Sequence, residues 1–184
     1  MVKTLNRDGE RATIERPGDD EYAPFYAGYI RGVPDGDLLA TLRDQLAETE
    51  SLLRQIGESR GDYRYGPGKW SVKEVVLHVA DAERIFAYRA LRFARGDATP
   101  LPGFEQNDYV PVSRADDRTL AELAAELRSV RAATITLFDG LPADALARRG
   151  RANNVEVSVR ALAWIIAGHE RHHARIIRER YVAA

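Results

Sequence analysis

The chain contains no cysteine. That absence excludes disulfides, thiolate metal sites and a cysteine nucleophile, and leaves imidazole and carboxylate as the strong ligands. Long apolar runs are missing too. No stretch approaches the ~20 residues of a membrane span, and the first residues lack an apolar signal region. The expected location is the cytoplasm, with no membrane partner. Neither sign of charge is in excess, since 27 basic residues stand against 28 acidic ones. A nucleic-acid partner therefore has no electrostatic footing. What remains is ordinary globular material, 45% hydrophobic and 30% charged over 184 residues, enough for one domain with a real core.

Hydrophobic periodicity predicts an all-α fold, a four-helix bundle. Residues 1–34 are rich in Gly, Pro and Asp and read as an irregular N-terminal arm packed on a bundle domain of residues 35–184. Leu38, Leu42, Leu46, Thr49, Leu53 and Ile56 recur at helical spacing and define a first helix over 35–57. Ser71 and Glu74 form a capping box that opens a second helix over 71–95. Thr119 and Glu122 repeat that device for a third helix over 118–139, and Ser158 caps a fourth over 158–182. Asn153-Asn154 marks a turn, and no strand pattern stands out. The connection over 96–116 is long, so simple up-down-up-down order is not implied. It either lies over one mouth of the bundle or is a mere tether, and Asn107 and Tyr109 are its candidate substrate contacts.

All four histidines fall within two of these helices. His78 lies in the second, and His169, His172 and His173 lie in the fourth. His169 and His173, spaced i, i+4, stack on one helical face with Leu162 and Ile166. Burying two imidazoles without partners costs several kcal/mol, which a shared metal ion offsets. A third ligand from another helix completes such a site, and His78 is the one histidine elsewhere. His172 is rotated about 100° from His173 and is a weaker candidate. The run His169-Glu170-Arg171-His172-His173 also matches the His-Glu-x-x-His signature of zinc peptidases, with Glu170 as base. The context does not match. A third ligand twenty residues on would lie beyond residue 184, and Ile176 stands where a turn-forming glycine is needed.

Pro67-Gly68-Lys69-Trp70-Ser71-Val72-Lys73-Glu74-Val75-Val76-Leu77-His78-Val79-Ala80-Asp81, with the closing Gly168-His169-Glu170-Arg171-His172-His173, resembles the DinB/YfiT-like superfamily. The resemblance spans residues 35–182. It implies a four-helix bundle holding one divalent metal ion, nickel or zinc, on three histidines, which fall here on His78, His169 and His173. It also implies a homodimer, a habit of that family which the apolar residues of the arm and helix edges match. Some members of that superfamily are thiol-dependent S-transferases.

Three neutral imidazoles leave an ion its full charge and leave coordination positions open, which lowers the pKa of a bound water or thiol. With no cysteine in the chain, a thiol must arrive as a low-molecular-weight cosubstrate. The expected function is a metal-dependent transferase of that kind acting on a small molecule. Two alternatives stay open: a hydrolase using water at the same ion, and a non-enzymatic metal-binding stress-response module. Asp81, three residues after His78, is the candidate catalytic carboxylate, either orienting an imidazole or accepting a proton. The competing reading pairs it with Arg84 or Arg160. Glu83 reads as a surface residue, and Trp70 and Trp164 as core.

Overall fold

The computed structural model describes residues 13–182. Four long helices carry the fold: α2 (Leu38–Ile56), α3 (Val72–Ala94), α5 (Leu120–Asp139) and α7 (Val159–Ile177). A short helix, α1 (Ala27–Arg31), precedes them. Two more, α4 (Gln106–Tyr109) and α6 (Ala143–Ala147), lie in the connections. The four-helix bundle read from the sequence is the observed architecture.

Each long helix begins where a polar side chain satisfies its free N–H groups. Asp37 accepts from the Leu39 and Ala40 amides at 2.9 and 3.1 Å. Ser71 accepts from Glu74 N at 3.0 Å while Glu74 returns the bond to Ser71 N at 2.7 Å. Thr119 and Glu122 do the same for α5, and Ser158 accepts from Ala161 N at 3.0 Å for α7. Such caps contribute ~1 kcal/mol each.

The helices form a ring in the order α2–α5–α3–α7, each packed on the next. Helices α2 and α3, consecutive in sequence, therefore sit on a diagonal instead of side by side. The links from α2 to α3 and from α5 to α7 therefore cross the bundle ends, whereas the longest one, from α3 to α5, joins neighbours. This order places α3 against α7 and so makes neighbours of two histidine-bearing helices 91 residues apart.

The middle of the ring is polar. Arg131 of α5 is fully buried and donates to both oxygens of Glu83 on α3 at 2.9 and 2.7 Å. It also donates to the Leu42 carbonyl of α2 at 2.7 Å and sits 2.8 Å from Glu170 of α7. Glu83 is thus a core residue only 2% exposed, not the surface residue its sequence suggests. Its charge is matched by a guanidinium 48 positions later.

The arm is less irregular than its composition implies. Tyr22, Ala23, Tyr26, Ile30 and Val33 enter the core, and α1 lies on α7. The contact is backbone on backbone: a Cβ at Gly168 would overlap the Tyr29 carbonyl. Residues 1–12 of the arm lie outside the described residues. Trp164 is core, as expected, and its indole donates to the Glu15 carbonyl at 2.9 Å.

A hairpin, absent from the sequence reading, precedes α7. Strand β1 (Arg149–Ala152) pairs antiparallel with β2 (Val155–Ser158). Asn153 and Asn154, the turn marked in the sequence, sit at φ 51° and 63°, the left-handed pair that a two-residue hairpin turn requires. Leu101 of the 96–116 connection bridges to Ala152, anchoring that connection on the hairpin. Among the described residues no helix is long and apolar enough to cross a membrane.

Candidate metal centre

His78, His169 and His173 converge between α3 and α7. Their nearest ring nitrogens all lie within 4.8 Å of one another. His169 Nε2 is central, 3.1 Å from His78 Nε2 and 3.2 Å from His173 Nε2. His78 and His169 are 5% and 6% exposed, and His173 is half-buried. Burial holds the His78 ring down at about 4 and the His173 ring at about 3, with His78 and His172 adding repulsion at His173. The His169 ring is held well below the usual range by burial first and by its three histidine neighbours second. All three are neutral at pH 7 and present lone pairs.

The two separations at His169 fit one shared ion. Two imidazole nitrogens each ~2.1 Å from a zinc-like ion stand roughly 3.0–3.4 Å apart. Without an ion the arrangement is unbalanced. A neutral ring nitrogen carries either one proton or one lone pair. His169 Nε2 can then satisfy one neighbour but not both. A cation accepts all three lone pairs at once.

Aromatic rings wall the cluster. Trp70 lies 4.9 Å from the His78 ring between centroids, Tyr29 stands edge-on at 5.5 Å from His169, and Phe86 is 6.0 Å away. Trp70, read from sequence as core, is in fact half-buried beside the site. Tyr29 and Phe86 carried no sequence signal for this role beyond their place among apolar neighbours.

Asp81 is half-buried and accepts from Arg84 at 3.2 Å, not from any of the three imidazoles. Burial raises its carboxyl against the opposing charge of Arg84. Arg160, the other partner considered, pairs with Glu21 instead. Asp81 and His78 nonetheless line one small cavity of about 10 Å³, with Phe104 and Tyr109 of the 96–116 connection on its other side. That connection does cover a mouth of the bundle beside His78. Asn107 hydrogen-bonds to Glu105 and does not line this cavity.

His172 stays outside the cluster, edge-on to Tyr29 at 5.3 Å. Glu170 faces the opposite way. Its oxygens are held by Thr49 at 2.8 Å and Arg131 at 2.8 Å in the bundle centre. A general base cannot act from there, so the His-Glu-x-x-His match has no peptidase geometry behind it.

The sequence profile of the DinB superfamily matches residues 9–177. The chain belongs to the DinB superfamily. A protein of Oceanobacillus iheyensis, named only as a candidate metal-dependent hydrolase, is 24% identical over 151 residues, covering 77% of this chain and 86% of its own. The structure of YfiT from Bacillus subtilis superimposes with a TM-score of 0.65 at 16% identity, covering 97% of this chain and 95% of that one. Its description is of a probable metal-dependent hydrolase with an unusual four-helix bundle topology.

Proposed function

We propose that this DinB-superfamily chain is a metal-dependent enzyme that holds one divalent ion, nickel or zinc, on His78, His169 and His173. The observation that carries the reading is the convergence of three neutral imidazoles, two buried and one half-buried, on one point. A structural site is normally closed by four protein ligands, whereas an open set of three leaves room for a reactant. Such an ion, when bound, supplies Lewis-acid activation of water or of a thiol near neutral pH.

Hydrolysis of a small substrate is the first reading, supported by the names given to the Oceanobacillus and Bacillus proteins. Trp70, Tyr29 and Phe86 exclude bulk water and present faces to an apolar part of the substrate. In this reading Asp81, which lines a small cavity with His78, takes the proton that the nucleophile loses. The second reading is transfer of an external thiol to an electrophile. It is favoured by the absence of cysteine from the chain, which keeps an added thiol from competing with an internal one.

The test is turnover of chromogenic esters, amides and alkylating electrophiles by chelator-treated and metal-reconstituted protein, with and without glutathione, mycothiol or bacillithiol. Ion-dependent turnover without thiol identifies the hydrolase, and turnover needing ion and thiol together identifies the transferase. Stoichiometric metal bound by four protein ligands, with no turnover of either kind, overturns both.

A further inference from the structure

Six charged side chains are buried among the described residues: Glu21, Lys73, Glu83, Arg89, Arg131 and Glu170. Five are ion-paired: Glu21 with Arg160, Lys73 with Asp62, and Arg131 with both Glu83 and Glu170. Arg89 of α3 is the exception. It is 4% exposed and has no carboxylate partner among the described residues. Its acceptors are uncharged: the Pro102 carbonyl, 2.9 Å from Nη2, and the Tyr26 hydroxyl. Burial pulls its guanidinium below the ordinary value in spite of Tyr26. A buried ion without a counter-charge costs several kcal/mol. Proteins carry such costs chiefly where function requires them.

The place of Arg89 ties it to the histidine cluster. It follows His78 by eleven residues, about three turns of helix, and so shares its face of α3. The Arg89 guanidinium carbon is 5.9 Å from the centre of the Phe86 ring, and that ring is 6.0 Å from the ring of His169. The same carbon is 5.9 Å from the Phe104 ring, and Phe104 lines the small cavity with His78 and Asp81. Two aromatic rings therefore join the charge to the metal centre.

Phe104 belongs to a cover that can lift. The hydrogen bonds of residues 104–113 stay within that stretch or reach the adjoining Ala115. Among the described residues none ties the stretch to a long helix. It is anchored on either side, at Leu101 by the hairpin and at Asp116, which accepts from Ser71 Oγ at 2.6 Å. Phe104 can thus move aside while Pro102 keeps its hold on Arg89.

We propose that Arg89 is the carboxylate-binding residue of this site: the substrate is a small organic acid whose carboxylate pairs with Arg89 when Phe104 moves aside, and whose reacting group lies toward the histidines. The placing of the reacting group rests on the metal-dependent reading above; the binding of the carboxylate does not. One guanidinium balances the single charge of a carboxylate and grips both of its oxygens. Phe86 and Phe104 flank an apolar or aromatic body between the two ends. Arg89 is a positioning residue and takes no part in proton transfer.

Calorimetric titration of the full chain, chelator-treated and metal-loaded, with benzoate, phenylacetate and 3-phenylpropionate, each against its uncharged amide, tests the assignment. At least one acid is expected to bind saturably at 1:1 in both preparations, at least tenfold tighter than its amide. Arg89→Met reduces that acid to the level of the amide, and Arg89→Lys keeps part of the difference. Arg54→Ala, which deletes a surface charge, leaves it unchanged. A second readout separates binding from architecture. If Arg89 served only to tie the connection to α3, Arg89→Met would lower the thermal midpoint. As an unpaired ion kept for a ligand, its replacement leaves the midpoint equal or higher. No saturable binding of any acid by the parent chain overturns the proposal, as does equal binding of acid and amide, undiminished binding by Arg89→Met, or a lowered midpoint in that variant. A parent chain that binds the acid but takes up no nickel or zinc overturns the metal reading and leaves the Arg89 site standing.

Discussion

Replacing Arg131 with methionine is expected to be among the most damaging single changes in the protein. The substitution keeps the unbranched apolar stem and removes the guanidinium with its charge. It breaks two bonds to Glu83, the contact with Glu170 and the bond to the Leu42 carbonyl. The lost bonds matter less than what they leave behind. Glu83 and Glu170 have side chains about 2% exposed and then have no counter-charge. Removing one partner of a buried ion pair costs ~3–5 kcal/mol. With two carboxylates stranded, the upper end applies. A domain of this size loses ~2–4 °C of melting temperature per kcal/mol, so a fall of roughly 10–20 °C is expected. Urea unfolding followed by circular dichroism measures it directly. The companion variant, with methionine at Glu83, Arg131 and Glu170 together, should recover most of the loss, since apolar replacement of a whole buried charge group is near neutral or better. A loss below ~1 kcal/mol in Arg131→Met would refute the placement of the network at the bundle centre. So would a triple variant no more stable than the single one.

Three further outcomes follow from other parts of the molecule. Alanine at His78, His169 or His173 should each abolish stoichiometric binding of nickel or zinc in a calorimetric titration, while His172→Ala should retain it; tight binding by His78→Ala would contradict the three-ligand reading. Gly168→Ala should lower stability by ~1–3 kcal/mol, because the new methyl must push the Tyr29 backbone off α7, and limited proteolysis should then cut the arm first. Glu21 is buried, which by itself raises its carboxyl, but hydrogen bonds from Arg160, Gly18 N–H and Ser158 outweigh this and hold it at about 2 against an ordinary 4.5. The folded value is the lower one, so its contribution is complete above pH 4.5 and fades as pH falls toward 2. That contribution is on the order of 3 kcal/mol at ~1.4 kcal/mol per unit, and Arg160→Met, which removes one of the three lowering partners, should flatten the acid limb of a stability–pH curve by part of that amount.

The parts of this structure legible in the sequence are those set by neighbours along the chain. Ser71 with Glu74, Thr119 with Glu122, and Ser158 announce their helices because a cap and its amides lie within three residues. The pairing of His169 with His173 is equally local. His78 was reached by elimination, and only the ring order α2–α5–α3–α7 explains why it arrives. The misreadings share a cause. Glu83 looks like a surface residue until Arg131, 48 positions on, is folded against it. Strands of four residues are too short to show an alternating pattern, so the hairpin left only its Asn153-Asn154 turn in view. Helix α1, five residues long, shows no period of its own and is held by α7.

The span of chain between the converging histidines has one more consequence. His78 and His169 are 91 residues apart, and the chain has no disulfide to close so long a loop. An ion seated on both, and on His173, is a reversible cross-link. By the chain-entropy relation for a covalent bridge, closing a loop of that length restricts the unfolded ensemble by about 4–5 kcal/mol. A chelator would then act as a denaturant, and metal supply would set the lifetime of the folded protein.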